Sequence, residues 1–177
     1  INYYDPASQG NLSKYTANNG TITYDSIQQA YAVTTNSGEL KTELNNISFS
    51  NELEITADVM LTTSSNAQIG FIIGDLICRL VYADFGSIKY VALTNENDSN
   101  NNIVSEDVNL NLNEYYSLKL TIINNIAVLE LIQNNNVLKT LQTDVSKYVS
   151  SSNEFKIYSG YNTNVTNHIK NIKIHEL

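Results

Sequence analysis

The stretch Leu53–Leu61, with the sequence LEITADVML, alternates apolar and polar side chains along most of its length. Every odd-numbered residue in it is apolar, and Glu54, Thr56 and Asp58 lie between them. Successive side chains of a β-strand point to opposite faces, so this two-residue period predicts a strand with one face buried against a core.

The same alternation returns in Tyr116–Ile122. The pair Asn124-Asn125 then separates this segment from a second apolar stretch, Ile126–Ile132. Asn tolerates left-handed backbone better than other non-glycine residues, so the pair predicts a tight hairpin turn. A polar turn at Gln133–Asn136 leads into Val137–Leu141, and together the three segments predict a three-stranded meander.

Seven further segments are short, rich in β-branched or aromatic residues and bounded by Gly, Asn, Asp or Ser, which is typical of strands. They are Thr21–Tyr24, Gln28–Thr34, Gln68–Ile73, Ile77–Ala83, Ser87–Thr94, Glu154–Tyr158 and Ile169–His175. No segment keeps a helical period for ten residues, and Asp144–Tyr148 could form one helical turn at most. Many short antiparallel strands must close into a sandwich or barrel to hide their apolar faces and their edges.

We therefore expect an all-β chain in which residues 1–177 form one two-sheet antiparallel β-sandwich domain. Because the chain begins at Ile1 rather than at Met, we interpret it as a domain excised from a longer protein. A tract of polar residues, Asn95–Asn102, is expected to form a loop.

Composition narrows the function classes. The net charge of -8 and the pI of about 4.6 oppose the counterion release through which proteins bind phosphate backbones, so no nucleic-acid partner is expected. No apolar run approaches the roughly 20 residues that cross a bilayer, so no membrane insertion is expected. Cys78 is the only cysteine, which excludes an internal disulfide and a cysteine zinc cluster, and it is expected to be a buried thiol.

The order of the segments resembles the concanavalin A-like lectin/glucanase, or laminin-G-like, jelly roll. The resemblance rests on Glu52–Leu61, on QIGFIIGD at Gln68–Asp75, on EYYSLKL at Glu114–Leu120, on FKIYSG at Phe155–Gly160, and on the closing Ile169–Ile174. EYYSLKL is similar to the family strand with an aromatic residue followed by two alternating leucines. The resemblance covers about the last 125 residues.

This resemblance implies two curved antiparallel sheets, with glycan recognition on the concave face or the rim loops. The family occurs in surface adhesins and phage appendages, so the resemblance implies an extracellular domain at a cell surface or virion surface. The expected partners are glycans or cell-wall polysaccharide, and a homo-oligomer is a further candidate. Domains of this family also serve only to adhere or to space, so a structural spacer or oligomerisation domain of a modular surface or tail protein is the alternative function, and a glycoside hydrolase is a third and less favoured one.

A catalytic reading finds little support in the residues. Glucanases of the family carry acids in the pattern E-x-D-x-x-E, because a retaining pair needs carboxyls roughly 5 Å apart. Here Glu52 and Glu54 are followed by Ala57 where the last acid is needed, so no catalytic residue and no enzyme activity are expected. His168 and His175 lie seven positions apart, and a regular strand would place them on opposite faces.

The resemblance also implies a candidate structural calcium ion. In many related modules this ion is held by an early Asp and by an acid in the closing strand. Asp5 is the candidate ligand here, although the matching position in the last strand is Asn171, an uncharged and weaker oxygen ligand. A role for Asp5 in the turn at Pro6 is the alternative. No other cofactor is expected.

Sugar binding needs aromatic faces and planar polar groups, and the chain has 12 Tyr, 4 Phe and no Trp. Our candidate glycan-binding residues lie in the middle of the chain and in the loop before the final strand. They are Arg79, Tyr82, Asp84, Tyr90, Tyr158, Tyr161 and Asn162. For Tyr82 and Tyr90, a place at the edge of the core with a hydrogen-bonded hydroxyl is the alternative.

Overall fold

A computed structural model describes residues 2–162 and 164–177, and these residues form fifteen β-strands. In chain order the strands are β1 (Asn2–Asp5), β2 (Tyr15–Asn18), β3 (Gly20–Asp25), β4 (Ala30–Thr35), β5 (Leu40–Leu44), β6 (Leu53–Met60), β7 (Ala67–Ile73), β8 (Leu76–Ala83), β9 (Ile88–Asn95), β10 (Asn102–Asp107), β11 (Tyr115–Ile123), β12 (Ile126–Gln133), β13 (Asn136–Asp144), β14 (Phe155–Tyr161) and β15 (Thr166–Glu176). Short 3-10 helices cover Gln9–Lys14, Asp84–Gly86 and Glu96–Asp98.

The strands form two antiparallel sheets. The first sheet runs in the order β13-β12-β11-β6-β15-β4-β3, and β1 pairs with the far part of β15. The second sheet runs in the order β10-β9-β8-β7-β14-β5-β2. The predicted all-β, two-sheet antiparallel sandwich is confirmed.

One apolar core fills the space between the sheets, and the alternating stretch in β6 shows why. Leu53, Ile55, Ala57 and Val59 are fully buried in this core, while the residues between them point away from it. Cys78 lies in the same core, as expected, and burial raises the pKa of its thiol.

The meander forms as predicted, since β11 pairs with β12 and β12 pairs with β13. Asn124 and Asn125 have φ of 51° and 62° at the first turn, and Asn134 and Asn135 have the same values at the second. Two consecutive left-handed residues match the turn whose twist fits a two-residue hairpin. The Asn pairs therefore set the register of the meander.

The sequence pattern does not predict four of the strands, which are β1, β2, β5 and β10. They are short, and β1, β2 and β10 carry many polar residues, so hydrogen bonds to a neighbouring strand define them more than apolar alternation does. β4 also starts later than predicted, because the Asp25 carboxylate accepts the backbone amides of Ile27 and Gln28 and closes a turn there. The predicted single turn near Tyr148 is present, with its amide donating to the carbonyl of Val145.

A β-bulge in β15 overturns the expected placement of the two histidines. The register shifts between Lys170 and Lys173, and Asn171 has a φ of 52°. His168 therefore pairs with Met60 and His175 pairs with Glu54, so both histidines point away from the core on the same face. Six strand residues separate those positions, roughly 20 Å, so the two rings do not share a proton or a metal ion.

Candidate functional site

Three loops meet where β6, β8 and β14 end, and we call this region the loop end: Ser64–Asn66, Asp84–Ser87 and Tyr161-Asn162. The amide of Phe85 donates to the carbonyl of Ser64 at 2.9 Å, and the amide of Tyr161 donates to the carbonyl of Asn66 at 3.3 Å. The Asn162 side chain donates to the carbonyl of Ser65. The Ser64–Asn66 loop is thus hydrogen-bonded to both of the other loops, which fixes the three loops relative to one another.

Phe85 is the most unusual residue of the loop end. Its side chain is 81% exposed, although a phenyl ring gains most from burial. Its backbone is left-handed, with φ 52° and ψ 32°, and it lies between Asp84 at φ 50° and Gly86 at φ 97°. A left-handed backbone costs a residue with a side chain about 1–2 kcal/mol, and such strain concentrates at functional sites.

Planar polar groups lie in the same loops as this ring. The Asp84 carboxylate is exposed and accepts a hydrogen bond from the Ser87 hydroxyl at 2.6 Å. The amide oxygen of the exposed Asn66 lies 3.4 Å from the Asp84 backbone nitrogen, from which it accepts a hydrogen bond. An exposed aromatic face beside a carboxylate and amides can stack on an apolar ligand face while binding its hydroxyl groups.

A groove of about 410 Å³ continues from the loop end along the edge of the second sheet. It is lined by Ser87, Ile88, Lys89, Asp107, Val108 and Asn109. The Lys89 ammonium donates to the Asn109 side-chain oxygen at 2.9 Å, which links the two walls. A ligand held at Phe85 therefore has room to extend.

Arg79 does not reach the surface as a ligand-binding group. It lies on the face of the second sheet that points away from the first, and it is only 1% exposed. Its guanidinium donates to the Gln68 side chain at 2.7 Å, to the carbonyl of Ser99 at 2.9 Å and to the Asn102 side chain at 3.0 Å. These acceptors are neutral, and Nε has no hydrogen-bond partner in the described structure. Arg79 braces the β9–β10 connection against the sheet.

Two tyrosines share this buried network. Tyr158 is fully buried and its hydroxyl accepts a hydrogen bond from Gln68 at 3.1 Å, so it cannot contact a ligand in this arrangement. Tyr161 is half-buried, and its hydroxyl lies 3.5 Å from a guanidinium nitrogen of Arg79. Burial raises the pKa of Tyr161, and the positive charge of Arg79 opposes this effect.

The seven candidate glycan-binding residues thus divide into groups. The backbone amides of Asp84 and Tyr161 and the side chain of Asn162 all donate to the Ser64–Asn66 loop, which places these three residues at the loop end. Tyr90 pairs with Val81, so it shares the outer face of the second sheet with Arg79 and Tyr158.

Tyr82 lies on the other face, packs against the core and has the Lys89 ammonium 5.7 Å from its ring centroid. Arg79 and Tyr82 are three residues apart on β8, so the strand period itself separates them.

Sequence reasoning missed Phe85 and Asn66. The signal for Phe85 was its place between Asp84 and Gly86, because a turn that holds a large apolar residue has no core to bury it in. Asn66 has a φ of 81°, which is consistent with the tolerance of Asn for left-handed backbone.

The site expected for calcium at Asp5 does not fit a cation. The carboxylate is fully buried and accepts hydrogen bonds from the hydroxyls of Tyr31 at 2.6 Å, Tyr15 at 2.7 Å and Tyr3 at 3.3 Å. It also accepts the Asn11 side-chain amide at 3.0 Å and the Ala7 backbone amide at 2.9 Å. Donors, rather than further oxygen acceptors, surround both oxygens, which is the opposite of a calcium shell. The alternative role in the turn at Pro6 fits this geometry.

Asn171 does not complete a calcium site either. Its side-chain amide donates to the Asp58 carboxylate at 2.8 Å, on the first sheet's outer face, whereas Asp5 is buried. Within residues 2–162 and 164–177, no group of three or more His, Cys, Asp or Glu side chains could hold a metal ion.

The glucanase-like pattern does not bring its three positions to one face of the sheet. Glu52 precedes β6 and is exposed, and Glu54 points outward from β6 opposite Thr121. Ala57 is fully buried in the core, so an acid at that position would not face Glu54.

None of the helices in the described part of the chain has the length and apolar character needed to span a membrane.

Solved structures with the same architecture are numerous. A Bacillus subtilis protein of unknown function with a galectin-like fold has a TM-score of 0.72 at 10% identity, covering 98% of this chain and 94% of its own. The Ca²⁺-bound exoplasmic/lumenal domain of VIP36 has a TM-score of 0.71 at 9% identity, covering 99% and 90%. Peanut lectin with a 9-residue peptide has a TM-score of 0.73 at 10% identity, covering 98% and 97%.

No family model and no curated protein matches the sequence. The structural matches show that the chain has the concanavalin A-like jelly-roll fold, as its sequence resemblance implied. At these levels of identity they show the fold alone.

Proposed function

We propose that this domain is a non-catalytic carbohydrate-binding module whose ligand binds at the loop end. The observation that carries the proposal is Phe85, an aromatic ring held 81% exposed on a left-handed backbone between hydrogen-bonded loops. Exposure on a strained, left-handed backbone is what we expect of a ring that contacts a ligand outside the domain.

The surroundings of Phe85 suit a sugar. A pyranose presents an apolar face of C–H groups, which the ring can cover, and a rim of hydroxyls, which donate to carboxylates and accept from amides. Asp84, Asn66 and Asn162 supply a carboxylate and two amides within the same three loops. Mostly pre-formed sites with a few well-placed polar groups are typical of small-molecule recognition.

The comparisons support the class of ligand. VIP36 has been solved with Man3GlcNAc, and the Bauhinia forficata lectin with GalNAc, on folds that match this chain with TM-scores of 0.68 and 0.66. Both structures hold a sugar, and the buried Ala57 at the position of the last glucanase acid agrees with a binding role for this chain. We further propose that the domain belongs to a larger extracellular protein of a cell surface or virion surface, where cell-wall polysaccharide would be its partner.

A second candidate function, assembly into a homo-oligomer, is favoured by the edge strand β13. Val137 and Leu138 on this strand are 51% and 38% exposed, and among the described strands β13 has a sheet neighbour on one side only. Light scattering would show a dimer or larger assembly if β13 forms an interface. A monodisperse monomer at high concentration would remove this candidate.

Glycan arrays followed by titration calorimetry test the proposed binding, with Phe85→Ala as the variant. Ile27→Ala is the matched control, because Ile27 is 91% exposed on the β3–β4 turn of the other sheet. We expect Phe85→Ala to weaken binding by about tenfold or more and Ile27→Ala to leave it unchanged. If the unaltered domain bound no glycan at millimolar ligand, the proposal would fail.

A further inference from the structure

The end of the sandwich opposite the loop end carries three neighbouring grooves. The first, of about 390 Å³, lies beside Tyr3, Lys14 and Leu44. The second, of about 320 Å³, lies beside Glu43 and Ser48. The third, of about 370 Å³, lies beside Asp75 and Glu154.

The third groove lies between the β7–β8 turn and the β13–β14 connection, with Asp75, Lys147 and Tyr148 among its lining residues. Asn46 and Ile47 line both the first and the second groove, and Glu154 lines both the second and the third. The three grooves are therefore neighbours that share walls, and we call them together the trough.

The floor of the trough is rigid. Phe49 and Asn153 exchange two backbone hydrogen bonds, at 2.8 and 2.7 Å. The Asn153 side chain is buried, donates to the carbonyls of Phe49 at 3.1 Å and Ser150 at 2.7 Å, and accepts the Ser150 amide at 2.8 Å. A Cβ on Gly74 would lie 2.6 Å from the Asn153 side-chain oxygen, so only glycine fits against this floor. The floor of the third groove is therefore fixed by hydrogen bonds before any ligand binds.

The lining combines aromatic rings with balanced charge. The half-buried Tyr3 lines the first segment, and the half-buried Tyr148 lines the third. The Lys14 ammonium lies 5.8 Å from the centroid of the Tyr3 ring. The charged groups among the described lining residues are three lysines and three carboxylates. They are Lys14, Lys147, Lys156, Glu43, Asp75 and Glu154. Such a lining favours an uncharged ligand with many hydroxyls over a polyanion or a polycation.

We infer that the trough is a second binding site, for a linear uncharged oligosaccharide that lies across all three segments. Three neighbouring grooves of about 390, 320 and 370 Å³ suit a chain of sugars better than a single one, and the side chains of Asn45, Asn46 and Ser48 add hydrogen-bonding groups. The trough crosses strand ends and loops rather than following a strand edge. An extended peptide therefore finds no row of backbone groups to pair with.

Two sites at opposite ends of one domain have a consequence for assembly. The loop end lies where β6, β8 and β14 finish, and the trough lies where β5, β7 and β13 finish. A single domain could then hold two polysaccharide chains at once and gain avidity without forming an oligomer.

Calorimetric titration with linear tetrasaccharides of glucose, mannose and N-acetylglucosamine tests the trough. Glu154→Ala removes the acceptor shared by two segments, and Glu154→Trp fills their junction. Glu106→Ala is the control, since Glu106 is equally exposed on β10 outside the trough. We expect each Glu154 variant to weaken binding at one site by about tenfold and the control to leave both sites unchanged.

The outcomes separate the trough from the loop end. Loss of one of two sites in the Glu154 variants, with the other site lost in Phe85→Ala, supports both proposals. Loss in the Glu154 variants alone supports the trough and contradicts the loop end. Tetrasaccharide binding that neither Glu154 variant changes, binding of a Ser/Asn-rich peptide in place of any glycan, or no tetrasaccharide binding at all would overturn the trough proposal.

Discussion

The backbone amide of Phe85 donates a 2.9 Å hydrogen bond to the carbonyl oxygen of Ser64, which ties the β8–β9 loop to the β6–β7 loop. Because this bond uses the backbone, it fixes the position of the ring without any contact from the ring itself. The exposed side chain is therefore free to act on a ligand, and its removal is expected to change binding more than folding.

Replacement of Phe85 by glycine should separate these two effects. Glycine adopts φ 52° without penalty, so Phe85→Gly is expected to keep or raise the free energy of unfolding, by up to about 1 kcal/mol. Glycan binding should fall by about tenfold or more, because the stacking face is gone. Urea unfolding and calorimetric titration of the same preparation measure both quantities. A large loss of stability would show instead that the ring packs against the fold.

Arg79 should behave as a structural residue, although its type and position suggested ligand binding. Arg79→Ala would leave the acceptors on Gln68, Ser99 and Asn102 without their donor inside the protein. We expect a loss of roughly 3 kcal/mol in the free energy of unfolding, read from denaturant midpoints. A variant that folded with unchanged stability but no longer bound glycan would place the guanidinium in the binding site after all.

Asp5 should make the stability of the domain depend on acid pH. Burial alone would raise the pKa of Asp5, but hydrogen bonds from Tyr31, Tyr15, Asn11 and the Ala7 amide outweigh it and hold the pKa below the ordinary value of 3.8. The ionised carboxylate therefore stabilises the fold above about pH 4, and this stability is lost as the pH falls through the lowered pKa.

Asp5→Asn tests this expectation in denaturant titrations between pH 2 and pH 7. We expect the variant to be less stable than the unaltered domain at pH 7, by roughly 1–3 kcal/mol, and the gap to close in acid. Asp144→Asn is a comparison variant, since that carboxylate also has a lowered pKa but is exposed, and its gap is expected to close in acid in the same direction and to be smaller. A gap of constant size across the pH range would contradict the role given to the Asp5 charge.

Calcium should leave thermal stability unchanged, since both Asp5 oxygens already accept hydrogen bonds from five groups. Scanning calorimetry with excess Ca²⁺ and with a chelator gives the comparison. A melting temperature that rises with Ca²⁺ concentration would reveal a site that binds the folded state.

Much of the fold was predictable because it depends on local rules. The alternation in Leu53–Leu61 predicts which residues face the core, and the Asn124-Asn125 pair predicts the position of a hairpin turn. The short strands β1 and β10 were not predictable in this way, since pairing with β15 and β9 defines them. The bulge at Asn171 was also hidden, because one added residue reverses the facing of every residue after it.

The candidate site was predicted less well, because burial decides it. Arg79 and Tyr158 have the chemistry of sugar-binding residues, yet packing of the β9–β10 connection and the sheet covers them. Phe85 has an ordinary apolar side chain, and only its left-handed backbone and its exposure mark it. A sequence pattern reports which face a strand residue occupies but not which loop lies over it.

The most direct test of the loop-end site is an NMR titration of the ¹⁵N-labelled domain with a glycan that binds it on an array. We predict the largest amide shift changes at Ser64–Asn66, Asp84–Ser87 and Tyr161-Asn162, which form the loop end. A second set of shifts along the trough would accompany them if that site takes the same ligand. Changes confined to the outer face of the first sheet, around Glu54 and Thr121, would contradict the account.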